Sequence, residues 1–144
     1  MDGTTKWRDG VTVIRGDSLD RAMREPSGTG RATAFDFAGT GGRETWIGTV
    51  TLKPSEKTGI HHHGRHEVAL HVAKGRSEIR WGEHLDFVAD VAAGDFVYFA
   101  PYVPHRELNL STSETVDFVV VRSDNSGIVV KLDIVPVEEP ERVF

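Results

Sequence analysis

Five of the seven histidines fall within eleven residues, at His61, His62, His63, His66 and His71, with Glu67 among them. A sixth, His105, follows the turn Ala100-Pro101-Tyr102-Val103-Pro104, and the seventh is His84. Neutral imidazole offers a lone pair at working pH and is the commonest protein ligand for transition metals. Cysteine is absent, so any metal must be held by nitrogen and oxygen. In an extended strand, residues two apart face the same way. His61 and His63 then point to one side and His62 to the other, and Glu67 shares their parity if no bulge intervenes. His105, Glu107 and Asn109 share a face in the same way. The prolines around Tyr102 stiffen the turn that delivers His105.

Three imidazoles and a carboxylate make a nitrogen/oxygen site that suits octahedral Mn, Fe, Co or Ni better than a closed structural Zn site. His66 competes with Glu67 as fourth ligand. His71 and Tyr102 are the candidate catalytic side chains, the first as acid/base or support for a ligand, the second at the cavity mouth. The plain alternatives are a satisfied core histidine and a turn tyrosine. Asn109 is read either as a backbone partner or as a ligand. Arg43 and Arg106 are candidates for an anionic substrate, although single arginines usually lie on solvated faces.

The elements that must carry these groups read as short strands. They are expected at 11–14, 32–37, 44–52, 67–73, 77–81, 86–91, 96–99, 106–110, 115–121 and 128–135. Between most of them stand turns such as Lys74-Gly75, Gly82-Glu83 and Ala93-Gly94-Asp95. One helix is expected, from Asp17 to Arg24 with Asp17 or Ser18 as N-cap. The tail from Pro136 to Phe144 is expected to pack loosely. An all-β sandwich or barrel with little helix follows.

The length of 144 residues fits one domain. A formal net charge of −5 without a clustered basic face speaks against nucleic acid as a partner. No signal peptide and no membrane-spanning run is read, so a cytoplasmic protein is expected.

Two segments resemble the signature motifs of the cupin superfamily. His61-x-His63-x3-Glu67 matches the ligand core of the first motif, with Gly75 closing it. Gly94, His105 and Asn109 have the spacing of the second. The resemblance covers about residues 59–109 and implies a cupin-type jelly-roll β-barrel (double-stranded β-helix), with the barrel core about 32–135 in a single domain, 1–144. It also implies a metal held by His61, His63, Glu67 and His105. The chain is most similar to small single-domain bacterial cupins described as like mannose-6-phosphate isomerase, which implies a homodimer paired through sheet edges.

Three positions depart from the pattern. Seven residues separate Glu67 from Gly75 where the family has six, and counting six back lands on Val68. Ala100 and Tyr102 replace the family's proline and glycine. The glycine that opens the first motif is missing.

The functional expectation is a divalent-metal cupin, with Mn first and Fe, Ni, Co or Zn as alternatives, acting on a small molecule by dioxygenase- or isomerase-like chemistry. Whether it is an enzyme at all is open, and a metal-dependent oxidoreductase or isomerase are the enzymatic forms. A non-catalytic metal- or small-ligand-binding protein is the alternative, and a vestigial, metal-free subunit the third reading.

Overall fold

The computed structural model describes residues 7–19, 30–35, 44–124 and 127–144. In chain order the strands are β1 (Gly30–Phe35), β2 (Trp46–Leu52), β3 (His61–His62), β4 (Val68–Lys74) and β5 (Arg76–Trp81). There follow β6 (Phe87–Ala92), β7 (Phe96–Phe99), β8 (His105–Leu108), β9 (Val116–Arg122), β10 (Val130–Lys131) and β11 (Glu141–Arg142). Helix among the described residues is limited to two 3₁₀ turns, Arg8–Gly10 and Gly16–Ser18. One sheet runs β1-β2-β9-β4-β7 and the other β10-β3-β8-β5-β6-β11.

Alternation in the sequence becomes the two faces of each strand. In β2, Trp46, Gly48, Val50 and Leu52 are buried, and in β9, Val116, Phe118, Val120 and Arg122 are. The apolar ones among these form one core with Val68, Leu70, Val72, Ile79 and Phe99. Full burial of a side chain such as Phe118 contributes about 2–3 kcal/mol. Gly48 is small for a reason: a Cβ there would strike the Ala32 carbonyl oxygen and sit 2.6 Å from the Trp46 ring.

Several expectations change. Residues 11–14 form no strand; Val11 and Val13 are exposed and pair with nothing among the described residues. Of the helix expected over Asp17–Arg24, Asp17 and Ser18 lie in the second 3₁₀ turn, and residues 20–29 lie outside the described residues. The segment 128–135 contributes only the two-residue β10. The tail is tied down rather than loose. Glu141 and Arg142 pair in parallel with Phe87 and Val88, Arg142 bridges Asp90 at 2.9 Å, and the Val137 amide donates to the His84 carbonyl.

Gly75 joins β4 to β5 at φ +85°, a left-handed conformation that costs a side-chain-bearing residue about 1–2 kcal/mol. A Cβ at this position would also collide with the Thr115 carbonyl oxygen. Gly75→Ala is therefore expected to lower unfolding free energy by about 2–4 kcal/mol in chemical denaturation. A loss below about 0.5 kcal/mol would contradict this account of the turn.

Candidate metal centre

β3 and β8 are neighbours in the second sheet, and their register sets His61 directly opposite His105. His63 lies just beyond β3, and its ring returns to the same point. The His61 and His105 ring centroids are 4.4 Å apart, those of His61 and His63 4.9 Å, and those of His63 and His105 5.2 Å. One nitrogen from each ring lies within 4.8 Å of the other two, and all three residues are buried.

Each ring is held by its Nδ1 against a backbone carbonyl. The partners are Gly59 for His61 at 2.7 Å, Ile128 for His63 at 3.0 Å and Val103 for His105 at 3.0 Å. A carbonyl oxygen only accepts, so each Nδ1 carries the proton and each Nε2 keeps its lone pair. This is the support that metal-bound histidines usually have. Phe99 adds a stacking contact on His105, at 3.9 Å and 17°. The His105 Nε2 is buried and has no hydrogen-bond partner. A buried nitrogen without a partner is rare in a native fold and calls for a ligand or some other explanation.

Electrostatics keep the His63 and His105 rings neutral. Burial, then the nearby His105, His61 and Arg122 charges, lower the His63 pKa to about 3 against a weaker pull from the Ile128 carbonyl. Burial and His61 lower His105 to about 3, against the opposing Val103 hydrogen bond. Uncharged imidazoles are the form a metal requires.

His61 and His63 border a chamber of about 20 Å³, room for one water, and His105 stands behind them, outside its lining. Thr58, Val68, Glu107 and Arg122 also line it. The Thr58 hydroxyl donates to Glu107 Oε2 at 3.0 Å and accepts from the Glu107 amide at 3.1 Å. The Arg122 guanidinium lies 4.6 Å from the Trp46 ring centroid.

Glu67 is not brought to the three histidines. It is exposed, and the Tyr98 hydroxyl donates to its Oε1 at 2.8 Å. The reason is strand parity. The Glu67 amide donates to Ser123 Oγ at 3.0 Å and its carbonyl accepts from the Ser123 amide at 3.1 Å. These bonds carry the β4–β9 alignment back through Glu67, so Val68 faces inward and Glu67 outward. A register irregularity does occur in β4, but between Val72 and Lys74, beyond the point where it could turn Glu67.

The other candidates also lie elsewhere. His71 sits on the outer face of β4, its ring 4.4 Å from Phe96. Tyr102 is 61% exposed at φ +64° with its ring 5.7 Å from His62, so neither candidate catalytic residue enters the chamber. His66 contacts Ser123 and Asp124, at 3.4 Å and 4.0 Å, outside the cluster. His62 Nδ1 accepts from the Gly64 amide. Asn109 is a backbone clamp: its Nδ2 donates toward the Leu52, Lys53 and Glu114 carbonyls and its Oδ1 accepts from the Ser111 amide. Arg106 holds the Thr58 carbonyl, and Arg43 lies outside the described residues.

Sequence reasoning gave no role to Thr58, Arg122 or Glu107. For Glu107 the signal was the period of two from His105. For Arg122 it was the inward series Val116, Phe118, Val120.

Two sheets, antiparallel except where β11 joins β6, enclose the histidine cluster and define the class, a double-stranded β-helix barrel. The profile of the cupin domain matches residues 48–122, just over half of the 144, and the chain belongs to the cupin family. Its fold is similar to that of the polyketide cyclase RemF from Streptomyces resistomycificus, at 18% identity and TM-score 0.71, covering 90% of this chain and 89% of that one. A conserved protein with a double-stranded β-helix domain from Klebsiella pneumoniae is similar at 16% identity and TM-score 0.66, covering 85% and 98%. Oxalate decarboxylase from Bacillus subtilis is similar at 19% identity and TM-score 0.66, covering 85% of this chain and 33% of the decarboxylase, so the chain spans a third of that protein. No curated relative matches the sequence. No described helix is long and apolar enough to cross a membrane.

The lowered histidine pKa values set an acid limit for the metal-free protein. Unfolding returns His63 and His105 to the ordinary value of about 6.5, so below that pH the unfolded chain binds protons that the folded chain does not. Stability supplied by the neutral rings is full above about pH 6.5 and falls as pH drops toward 3, by about 1.4 kcal/mol per pH unit for each histidine. Urea unfolding of metal-free protein at pH 7, 6 and 5 should show this fall. A His63→Asn, His105→Asn double variant should lose much of the slope. An unchanged slope in that variant would contradict the assignment.

Proposed function

We propose that this cupin holds one divalent transition metal through the Nε2 atoms of His61, His63 and His105 and acts on a small molecule there. The observation that carries the reading is the orientation of the rings. Three buried Nδ1 atoms are fixed by backbone carbonyls, leaving three lone pairs converging, one of them on an otherwise unpartnered nitrogen. Three imidazoles without thiolate suit Fe, Co, Ni or Zn, and the Mn expected first requires a carboxylate oxygen in addition. A bound metal would act as Lewis acid or take part in redox chemistry. The fourth position named by the family pattern, Glu67, is left to the test below, because its side chain faces solvent.

The chain's own residues narrow the substrate. With the imidazoles of His61 and His63 and the Arg122 guanidinium on its wall, the chamber suits an oxygen anion or a polarised carbonyl. With about 20 Å³ available, it admits one small donor group rather than a whole substrate. A small carboxylic or hydroxy-carbonyl compound fits, and oxidoreductase or isomerase chemistry is then the choice. The likeness to oxalate decarboxylase and to the polyketide cyclase, proteins acting on oxygen-rich small molecules by their names, supports the same class. Chamber size also favours a second reading, a non-catalytic metal- or small-ligand-binding protein.

Metal-free protein titrated with Mn²⁺ or Co²⁺ should bind one equivalent, and His61→Ala and His105→Ala should each weaken binding at least 100-fold. Binding that survives either change within threefold would overturn the site. Turnover of small carboxylates by loaded protein, absent from both variants, separates the enzyme from the binding module.

We also propose a cytoplasmic homodimer. β7 pairs only with β4 among the described residues, and its Phe96 and Tyr98 are exposed. An edge of aromatic residues without charge or proline invites pairing with a second copy. Light scattering coupled to size exclusion should give about 32 kDa, twice the 15.9 kDa chain, reduced by Val97→Pro. A 15.9 kDa particle would contradict the dimer.

A further inference from the structure

Resting on the metal reading above, we infer that Glu107, and not Glu67, is the carboxylate that faces the metal. A divalent ion bound by three neutral imidazoles keeps its full charge. Burying such charge without an anion is costly. Glu107 is the one carboxylate lining the chamber among the described residues. It is 8% exposed, and the side-chain bond that fixes it comes from the neutral Thr58 hydroxyl.

Its position follows from the strand. Glu107 is two residues beyond His105 on the inward face of β8, about 6.6 Å along the strand. That step places its oxygens outside the 4.8 Å group formed by the three histidines. At that reach the carboxylate would face the metal across one water rather than bond to it directly. Thr58 aims the group: its hydroxyl is at once donor to Oε2 and acceptor from the Glu107 amide, so the carboxylate cannot swing freely. Thr58 is itself anchored, its amide donating to the Glu107 carbonyl at 2.9 Å and its carbonyl held by Arg106. The inward position that the first motif reserves for glutamate is filled here by Val68, which lines the same chamber and cannot ligate. The chain thus moves the acidic group from β4 to β8.

The test is metal affinity. Glu107→Gln keeps the shape and the Thr58 hydrogen bond and removes only the charge. Isothermal titration of Co²⁺ or Mn²⁺ should give a Kd raised about 10- to 100-fold, with Glu107→Asp recovering part of the loss. Glu67→Gln should bind within twofold of the parent. Should Glu107→Gln not fold, infrared difference spectra of the folded Glu67→Gln protein decide. The carboxylate stretch shifted by metal addition should persist there. Parent-like affinity in Glu107→Gln, or loss of the shifted stretch in Glu67→Gln, would overturn this inference and leave the three-histidine site standing. A parent protein that binds no metal overturns both.

Discussion

The chamber depends on one pairing, β3 against β8. It sets His61 and His105 side by side although 43 residues separate them in sequence. Neither strand alone could make a site, because β3 is two residues long and β8 four. β3 is held on its other side by β10, and the β10 neighbourhood supplies the Ile128 carbonyl that orients His63. The β7–β8 turn supplies the Val103 carbonyl that orients His105. Closure of the sheet and orientation of the rings are therefore the same event. Any change that loosens either neighbour of β3 disturbs all three imidazoles.

The second constraint is alternation. A strand that buries Val68, Leu70 and Val72 must expose its other residues, and Glu67 lies one step before Val68. Ser123 locks that step in place, its amide donating to the Glu67 carbonyl and its hydroxyl accepting from the Glu67 amide. A one-residue difference in spacing, small in the sequence, thus exchanges a carboxylate for an isopropyl group at the chamber wall. The charge that the site loses at Glu67 has a counterpart at Glu107, which the same period of two carries inward from His105.

Much of this was legible in the sequence. Strands β1, β2 and β4 to β9 lie close to where alternation placed them, whereas 11–14 forms no strand and 128–135 only β10. His61, His63 and His105 converge as parity and the second motif required. Glu67 was misplaced because parity counted from His63 assumes one continuous strand. β3 in fact ends at His62, and the chain turns at Gly64, φ +64°, before β4 begins. The tail was misread because glutamate and proline content says nothing of backbone pairing, and β11 is held by hydrogen bonds to β6 and by Arg142. Asn109 could not be decided locally, since its partners at Leu52, Lys53 and Glu114 belong to other segments. Arg122 carried no motif and was visible only as the last inward residue of β9.

The most direct test is a crystal structure of the Mn²⁺-loaded protein with anomalous scattering. The account predicts one anomalous peak bonded to Nε2 of His61, His63 and His105, with the Glu67 carboxylate still turned out toward Tyr98. A peak coordinated by Glu67, or none between the three rings in protein saturated with Mn²⁺, would contradict it.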